Sequence, residues 1–244
     1  MKLHLPNSAW INNIDSFITS LDTSDKKILN ITSHKKWISV HPAVLCMVAS
    51  LGRTVRERNG EIHFPKMTAT SRHYFERMNL FKFLELKSEM DIEKHEESGK
   101  FIPLTRIDDS DSLQRFITDM VPILHQSPEQ VAPIRYIMSE LIRNTIEHSN
   151  SPHGALVCAQ LYKGKKIRIG IADAGMGIRK SISRAYPGKS HSEAIKLALT
   201  PGVTGTTRKI GGTEQNGGAG LFIIKSIAKL NRDFFLLYSG RYDV

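Results

Sequence analysis

Seven of the chain's 17 glycines fall between Gly202 and Gly220. They run directly into Leu221-Phe-Ile-Ile-Lys-Ser-Ile-Ala-Lys-Leu230, an apolar segment with helical spacing. Glycine is costly to order, so this stretch reads as a mobile lid and not as the interior of a helix or strand. Its last members behave differently. Asn216-Gly217-Gly218-Ala219-Gly220 abuts the helix start, and small residues there leave the first N–H groups open to an anion. The helix dipole favours a phosphate at that end. A disordered loop accounts for Gly202 to Gly212 but not for glycines set against a helix.

The 244 residues are enough for one large domain or two small ones. Hydrophobic residues make up 40% and charged residues 24%, an ordinary globular balance that excludes wholesale disorder. The longest apolar run, Ala43 to Ala49, is far short of the roughly 20 residues that span a bilayer. The first residues lack the apolar stretch of a signal peptide. Two cysteines, Cys46 and Cys158, are too few for a disulfide framework or a thiolate metal cage. A reduced, cytoplasmic protein is expected. The net charge of +10 is uneven: residues 1–100 hold 15 Lys/Arg against 12 Asp/Glu, and the rest 19 against 12. Such a field attracts polyanions and small anions such as nucleotides. Nucleic acid is the less favoured partner, because no zinc-finger, basic-zipper or aromatic RNA-binding signature accompanies the charge.

Composition shifts between Leu86 and Lys100, where the chain is charged, nearly free of apolar residues and ends in Ser-Gly. This predicts a domain at 1–90, a linker at 91–100 and a second domain at 101–244. In the first, Lys27 to Thr32 reads as a strand, Pro42 opens a helix, Glu61 to Phe64 is a second strand, and Tyr74, Met78 and Phe81 recur at helical spacing. A small α/β unit follows. In the second, a strand at Phe101 to Arg106 precedes a helix capped within Asp109 to Ser112. Ser127-Pro128-Glu129-Gln130 starts another helix, with Pro133 able to kink it. Ala155 to Tyr162 and Lys166 to Ala172 flank a hairpin turn, and Phe234 to Tyr238 reads as a final strand.

Two further segments carry polar groups that chemistry can use. On the helix containing Ser139-Glu-Leu-Ile-Arg-Asn-Thr-Ile-Glu-His148, Glu140, Asn144 and His148 are four apart and share a face. A carboxylate and an amide oxygen one turn apart suit Mg²⁺, which keeps its waters and takes one or two protein oxygens. A solvated polar stripe explains the same spacing. In Ile169-Gly-Ile-Ala-Asp173-Ala-Gly175-Met-Gly177, an apolar strand delivers an acid into a glycine-broken loop. Asp173 can accept from an exocyclic amine while Gly175 and Gly177 let the backbone approach a flat ring; a plain turn is the alternative.

Other signals fail. Gly188-Lys189-Ser190 resembles the end of a P-loop, but Ser183 stands at its first glycine position. Lys180 and Ile223 occupy the third glycine positions of the two Rossmann-like starts. The ten histidines show no HExxH-type spacing.

The order Glu-x-x-x-Asn, Asp-x-Gly-x-Gly and Gly-x-Gly-Leu resembles the GHKL (histidine-kinase-like) ATP-binding fold of DNA gyrase, mismatch-repair ATPases, histidine kinases and anti-sigma-factor serine kinases. The resemblance covers about Phe101 to Val244. It implies an α/β sandwich, a mixed sheet with helices on one face, that binds ATP and Mg²⁺. By resemblance Asn144 holds Mg²⁺, Glu140 is the base for water or a hydroxyl, and Asp173 reads the adenine amino group beside Gly175 and Gly177. Gly218, Gly220 and Leu221 meet the phosphates, with Thr204 opening a lid that runs to Gly217. His148 is given a structural part. More loosely, Lys36-Trp-Ile-Ser-Val-His-Pro-Ala-Val-Leu45 resembles a STAS domain. There the family carries Asp-Ser-Ser-Gly with a phosphorylatable serine, whereas this chain reads Val40-His41-Pro42-Ala43. Proline cannot accept a phosphoryl group, so a scaffold or docking role is expected for the first half.

The resulting expectation is a regulatory protein that binds Mg-ATP, with ATPase or protein serine/threonine kinase activity of the anti-sigma-factor type. A nucleotide-gated interaction switch with little turnover is the alternative. A protein partner and a homodimer are expected, and no membrane. A sensor histidine kinase would need a phosphoacceptor histidine followed by an acid, but His125 is followed by Gln126-Ser127-Pro128.

Overall fold

The computed structural model describes residues 1–87, 100–125, 127–162, 166–203 and 220–240. In chain order the elements are β1 (Lys2–Leu5), β2 (Ser8–Ala9), α1 (Ile14–Thr19), β3 (Ile28–Ser33), β4 (Ser39–Val40), α2 (Pro42–Glu57), β5 (Glu61–His63), α3 (Arg72–Arg77) and α4 (Leu80–Phe83). Then come β6 (Phe101–Ile107), α5 (Ser110–Leu124), α6 (Pro128–His148), β7 (Ala155–Tyr162), β8 (Lys166–Ala172), α7 (Gly177–Ile182), α8 (His191–Ala198) and α9 (Gly220–Leu230). Both halves are α/β, as the sequence predicts. The expected linker falls almost entirely outside the described residues.

Two compact units form, and they do not follow chain order. Met1–His125 groups with Ala155–Asp173, and Gln126–Gly154 groups with Ala174–Val244.

In the first unit, β1, β3 and β5 make a parallel sheet in the order β1-β3-β5. Alternate residues turn inward, so Leu3, Leu5, Leu29, Ile31 and Ile62 are buried. Helix α2 begins as its sequence requires: Pro42 takes the first turn, and the His41 side chain caps it by accepting the Ala43 N–H at 3.1 Å. Its buried face includes Val44, Leu45, Val48 and Val55.

The same unit holds a second sheet, β6-β7-β8, antiparallel throughout. The register slips between Ile102 and Thr105, around Pro103, which cannot donate to the ladder. Helix α5 packs on β6 and β7. Asp109 and Ser112 form its capping box, with Asp109 Oδ1 accepting the Ser112 N–H at 2.7 Å.

Along β7, Cys158 and Gln160 point to one side and Val157 and Ala159 to the other. The Cys158 side receives the first half of the chain. Cys158 Sγ lies 3.5 Å from Cys46 Sγ on α2, and the Tyr74 hydroxyl donates to Gln160 Oε1 at 2.9 Å. Gly170, paired with Cys158, lies so close to α2 that a Cβ would collide with Ala43 N and Pro42 C. The absence of a side chain at Gly170 is what lets α2 reach the sheet.

One expected helix is two. Asn79 adopts φ 60°, in the left-handed region, and separates α3 from α4. The periodicity of Tyr74, Met78 and Phe81 survives as burial of Met78 and Phe81 on either side of the break.

The second unit contains α6 to α9. Helix α6 runs on through Pro133 and packs against α9, while α7 packs against α8. Met138, Ile142 and Ile224 are buried. Helix α8 opens with a capping box in which Ser190 Oγ accepts the Glu193 N–H at 3.3 Å. Glu193 returns its carboxylate to the Ser190 N–H at 2.8 Å, and these bonds hold its pKa below the ordinary carboxylate value. The strand expected at Phe234 to Tyr238 is not formed. Phe234 is 84% exposed, and Leu236 and Tyr238 are partly exposed. A strand needs a backbone ladder to a neighbouring strand, and no described strand pairs with this segment.

Candidate functional site

Helix α6 supplies the polar stripe. Its buried residues Val131, Met138 and Ile142 face inward, leaving Glu140 and Asn144 partly accessible, one turn apart. The Glu140 side chain is 23% exposed, and its Oε2 lies 3.7 Å from Arg143 Nη1. Asn144 is half-buried, and its amide makes no hydrogen bond among the described residues. A half-buried amide oxygen beside a carboxylate is a donor set that fits Mg²⁺, which takes few protein ligands. No cluster of three or more His, Cys, Asp or Glu that could hold a metal occurs among the described residues.

Gly220 opens α9 directly against this stripe. A Cβ at Gly220 would collide with Glu140 Oε1 and lie 3.0 Å from Glu140 Cγ. Glycine here allows the close approach without displacing that side chain, and the approach brings the start of α9 beside the α6 carboxylate. Leu221 follows, half-buried.

The glycine loop after β8 is tied to the end of α6. The Met176 N–H donates to the Ser149 carbonyl at 2.7 Å, and the Ala174 N–H donates to Ser151 Oγ at 3.3 Å. A Cβ at Gly175 would strike the Ser149 backbone, so this contact also requires glycine. Gly177 has φ +72°, and the next N–H, that of Ile178, donates to Ser239 Oγ at 2.8 Å.

Glu140, Asn144, Gly175, Gly177, Gly220 and Leu221 thus belong to one compact unit, on two helices and a loop pinned to one of them. Asp173 is the last residue of the other unit, exposed and immediately before the pinned loop. Thr204 and Gly218, with the expected lid, lie outside the described residues. Ser149, Ser151 and Ser239 were not singled out from sequence. The run Ser149-Asn150-Ser151-Pro152 carries a turn signal, but only the folded chain shows what those hydroxyls hold. Helices α7 and α8 were also missed, although Ser190-x-x-Glu193 is a capping-box pattern.

No described helix is long and apolar enough to cross a membrane. No curated protein and no solved structure matches the chain. The family model of the histidine kinase-like ATPase domain matches residues 106–230, which spans α5 to α9 and the candidate site residues from Glu140 to Leu221. More than half of the sequence is therefore accounted for by one family, and the chain belongs to the histidine kinase-like ATPases, with an ATP-binding domain in its second half.

Proposed function

We infer that residues 101–244 bind Mg-ATP and pass the terminal phosphoryl group to a hydroxyl, that of water or of a partner protein's serine or threonine, as anti-sigma-factor kinases do. The contact of Gly220 with Glu140 carries this reading, because it sets a helix start beside a carboxylate. The open N–H groups at the start of α9 suit the phosphates. Asn144 would hold the magnesium, which would neutralise charge on the phosphates. Glu140 would take the proton of the attacking hydroxyl as the new P–O bond forms and the bond to the leaving ADP oxygen breaks. Asp173 would accept from the adenine amino group, with Gly175 and Gly177 giving the ring room; Gly218 would meet the phosphates with Gly220 and Leu221, and Thr204 would open the lid.

The first half, 1–90, is assigned a STAS-like scaffolding role. At the position where that family carries a phosphorylatable serine, His41 caps α2 and Pro42 opens it. The nearest hydroxyl, Ser39 Oγ, accepts the Trp10 indole N–H at 3.1 Å. The phosphoryl acceptor is therefore sought on another molecule.

The test is equilibrium binding of ATP with magnesium, together with phosphate release and labelling of added protein from radiolabelled ATP. Glu140→Gln should bind ATP nearly as the native chain does and lose turnover by about 100-fold or more. Asn144→Ala should weaken binding only when magnesium is present. Failure of the native chain to bind ATP would overturn the reading. Binding without phosphate release or transfer would leave a nucleotide-gated switch in its place.

A further inference from the structure

The chain's two tryptophans, Trp10 and Trp37, line the same cleft, and none of its lining residues belongs to the candidate nucleotide site. The cleft lies within the first unit and measures about 320 Å³. That is the low end of small-molecule sites, with room for one ring system and an attached group. Tyr74, Gln160 and Tyr162 form part of its wall, and Arg77 stands in it as a cation. No aspartate or glutamate is among its described lining residues.

The wall is built to present donors. Gln160 Oε1 accepts from the Tyr74 hydroxyl at 2.9 Å and from the Tyr162 hydroxyl at 2.7 Å. Both phenols stay protonated at neutral pH, because burial pushes the Tyr74 pKa well up and that of Tyr162 to about 12. With its oxygen held twice, Gln160 has its two amide N–H groups left over, and they make no hydrogen bond among the described residues. Trp10 is fixed by its bond to Ser39 and by an edge contact with the Tyr162 ring, centroids 5.3 Å apart. The Arg168 guanidinium sits 4.6 Å from the Trp10 centroid and 4.4 Å from that of Tyr162, adding positive charge behind the wall. Arg77 is steadied over the Phe101 ring at 5.8 Å, with no carboxylate paired to it among the described residues. Trp37 is 54% exposed, and its indole makes no hydrogen bond or ring contact among the described residues. A large flat apolar ring left half in water beside fixed donors and a cation that no described carboxylate neutralises is the profile of a site for a flat anion.

We propose that this cleft binds a small aromatic acid: one planar ring system, seated against Trp37, whose carboxylate or phosphate is held by Arg77 and the Gln160 amide. The cleft shares no lining residue with the nucleotide site, and the proposal does not rest on ATP being bound.

Because both tryptophans line the cleft, intrinsic tryptophan fluorescence reports on it directly. The full chain is titrated with benzoate, indole-3-carboxylate and phenyl phosphate, and with the neutral benzamide and indole-3-carboxamide. At least one acid should give a saturable change, with the neutral amides weaker by about tenfold or more. A response to carboxylates alone or to phenyl phosphate alone identifies which acid group the cleft takes. Arg77 is exposed, so Arg77→Met should keep the native unfolding temperature while losing about 10- to 100-fold in affinity for the acid. The proposal is overturned if no acid gives a saturable signal, if the amides bind as well as the acids, or if Arg77→Met binds as tightly as the native chain.

Discussion

Gly220 and Glu140 touch: the residue that opens α9 leaves no space for a β-carbon beside the α6 carboxylate. The colliding atom, Glu140 Oε1, is the far end of a flexible side chain and can be pushed aside. Gly220→Ala should therefore change the unfolding free energy by less than about 1 kcal/mol, since alanine also favours the helix. The displaced carboxylate should lower phosphate release by about tenfold or more. Urea unfolding and a phosphate-release assay on the same sample check both halves of this expectation.

Asp173 lies at the end of β8 and is exposed. As the acceptor for the adenine amino group, its loss removes a hydrogen bond involving a charged group, about 1.5–3 kcal/mol. Asp173→Ala should raise the Kd for ATP by about 10- to 100-fold, measured by calorimetry, with the fold unchanged by circular dichroism. Unaltered ATP affinity would remove Asp173 from the site.

Gly170 contrasts with Gly220. Here the colliding atoms are backbone, Ala43 N and Pro42 C, and cannot swing away. Gly170→Ala should force α2 off β8 and cost about 1–3 kcal/mol, read as a lower urea midpoint. A midpoint equal to that of the native chain would show that α2 does not pack as described.

His41 gives the fold a pH dependence. It is buried, and burial, with Arg168 nearby, lowers its pKa from 6.5 to about 4. Only the neutral ring can accept the Ala43 N–H that caps α2. The unfolded chain binds this proton near pH 6.5 and the folded chain only near pH 4, so stability falls as pH drops through that window. The full loss is about 3 kcal/mol. His41→Asn, which can still cap, should flatten this part of a stability-against-pH curve measured by urea unfolding.

Cys46 and Cys158 are both fully buried, with sulfurs 3.5 Å apart, and burial pushes the Cys158 thiol pKa well up. Both should resist iodoacetamide at neutral pH in the native protein and add two carbamidomethyl groups in denaturant, counted by mass spectrometry. Rapid labelling of the native chain would mean that α2 lifts from the sheet.

Local chemistry was readable wherever it was decided within a few residues. His41-Pro42, Asp109 to Ser112 and the strand pair around 163–165 lie where the pattern puts them, because caps, first-turn prolines and alternation act over one turn or one hairpin. The spacing of Glu140 and Asn144 survives on α6 for the same reason. The break at Asn79 and the irregular course of Phe234 to Tyr238 were not readable, since each depends on which surface is available to pack or pair.

From its residues alone the chain could be known as α/β, as carrying three glycine and acid motifs in the ATPase order, and as having a helix start at Gly220. Folding settled which groups meet. It put Gly220 against Glu140, tied Gly175 to Ser149, and set Cys158, Gln160 and Gly170 against the first half of the chain. Those pairs are separated by 26 to 128 residues along the sequence. Helix and turn propensities act over a few residues, whereas contact between distant segments is set by how whole surfaces pack, and no local pattern encodes that.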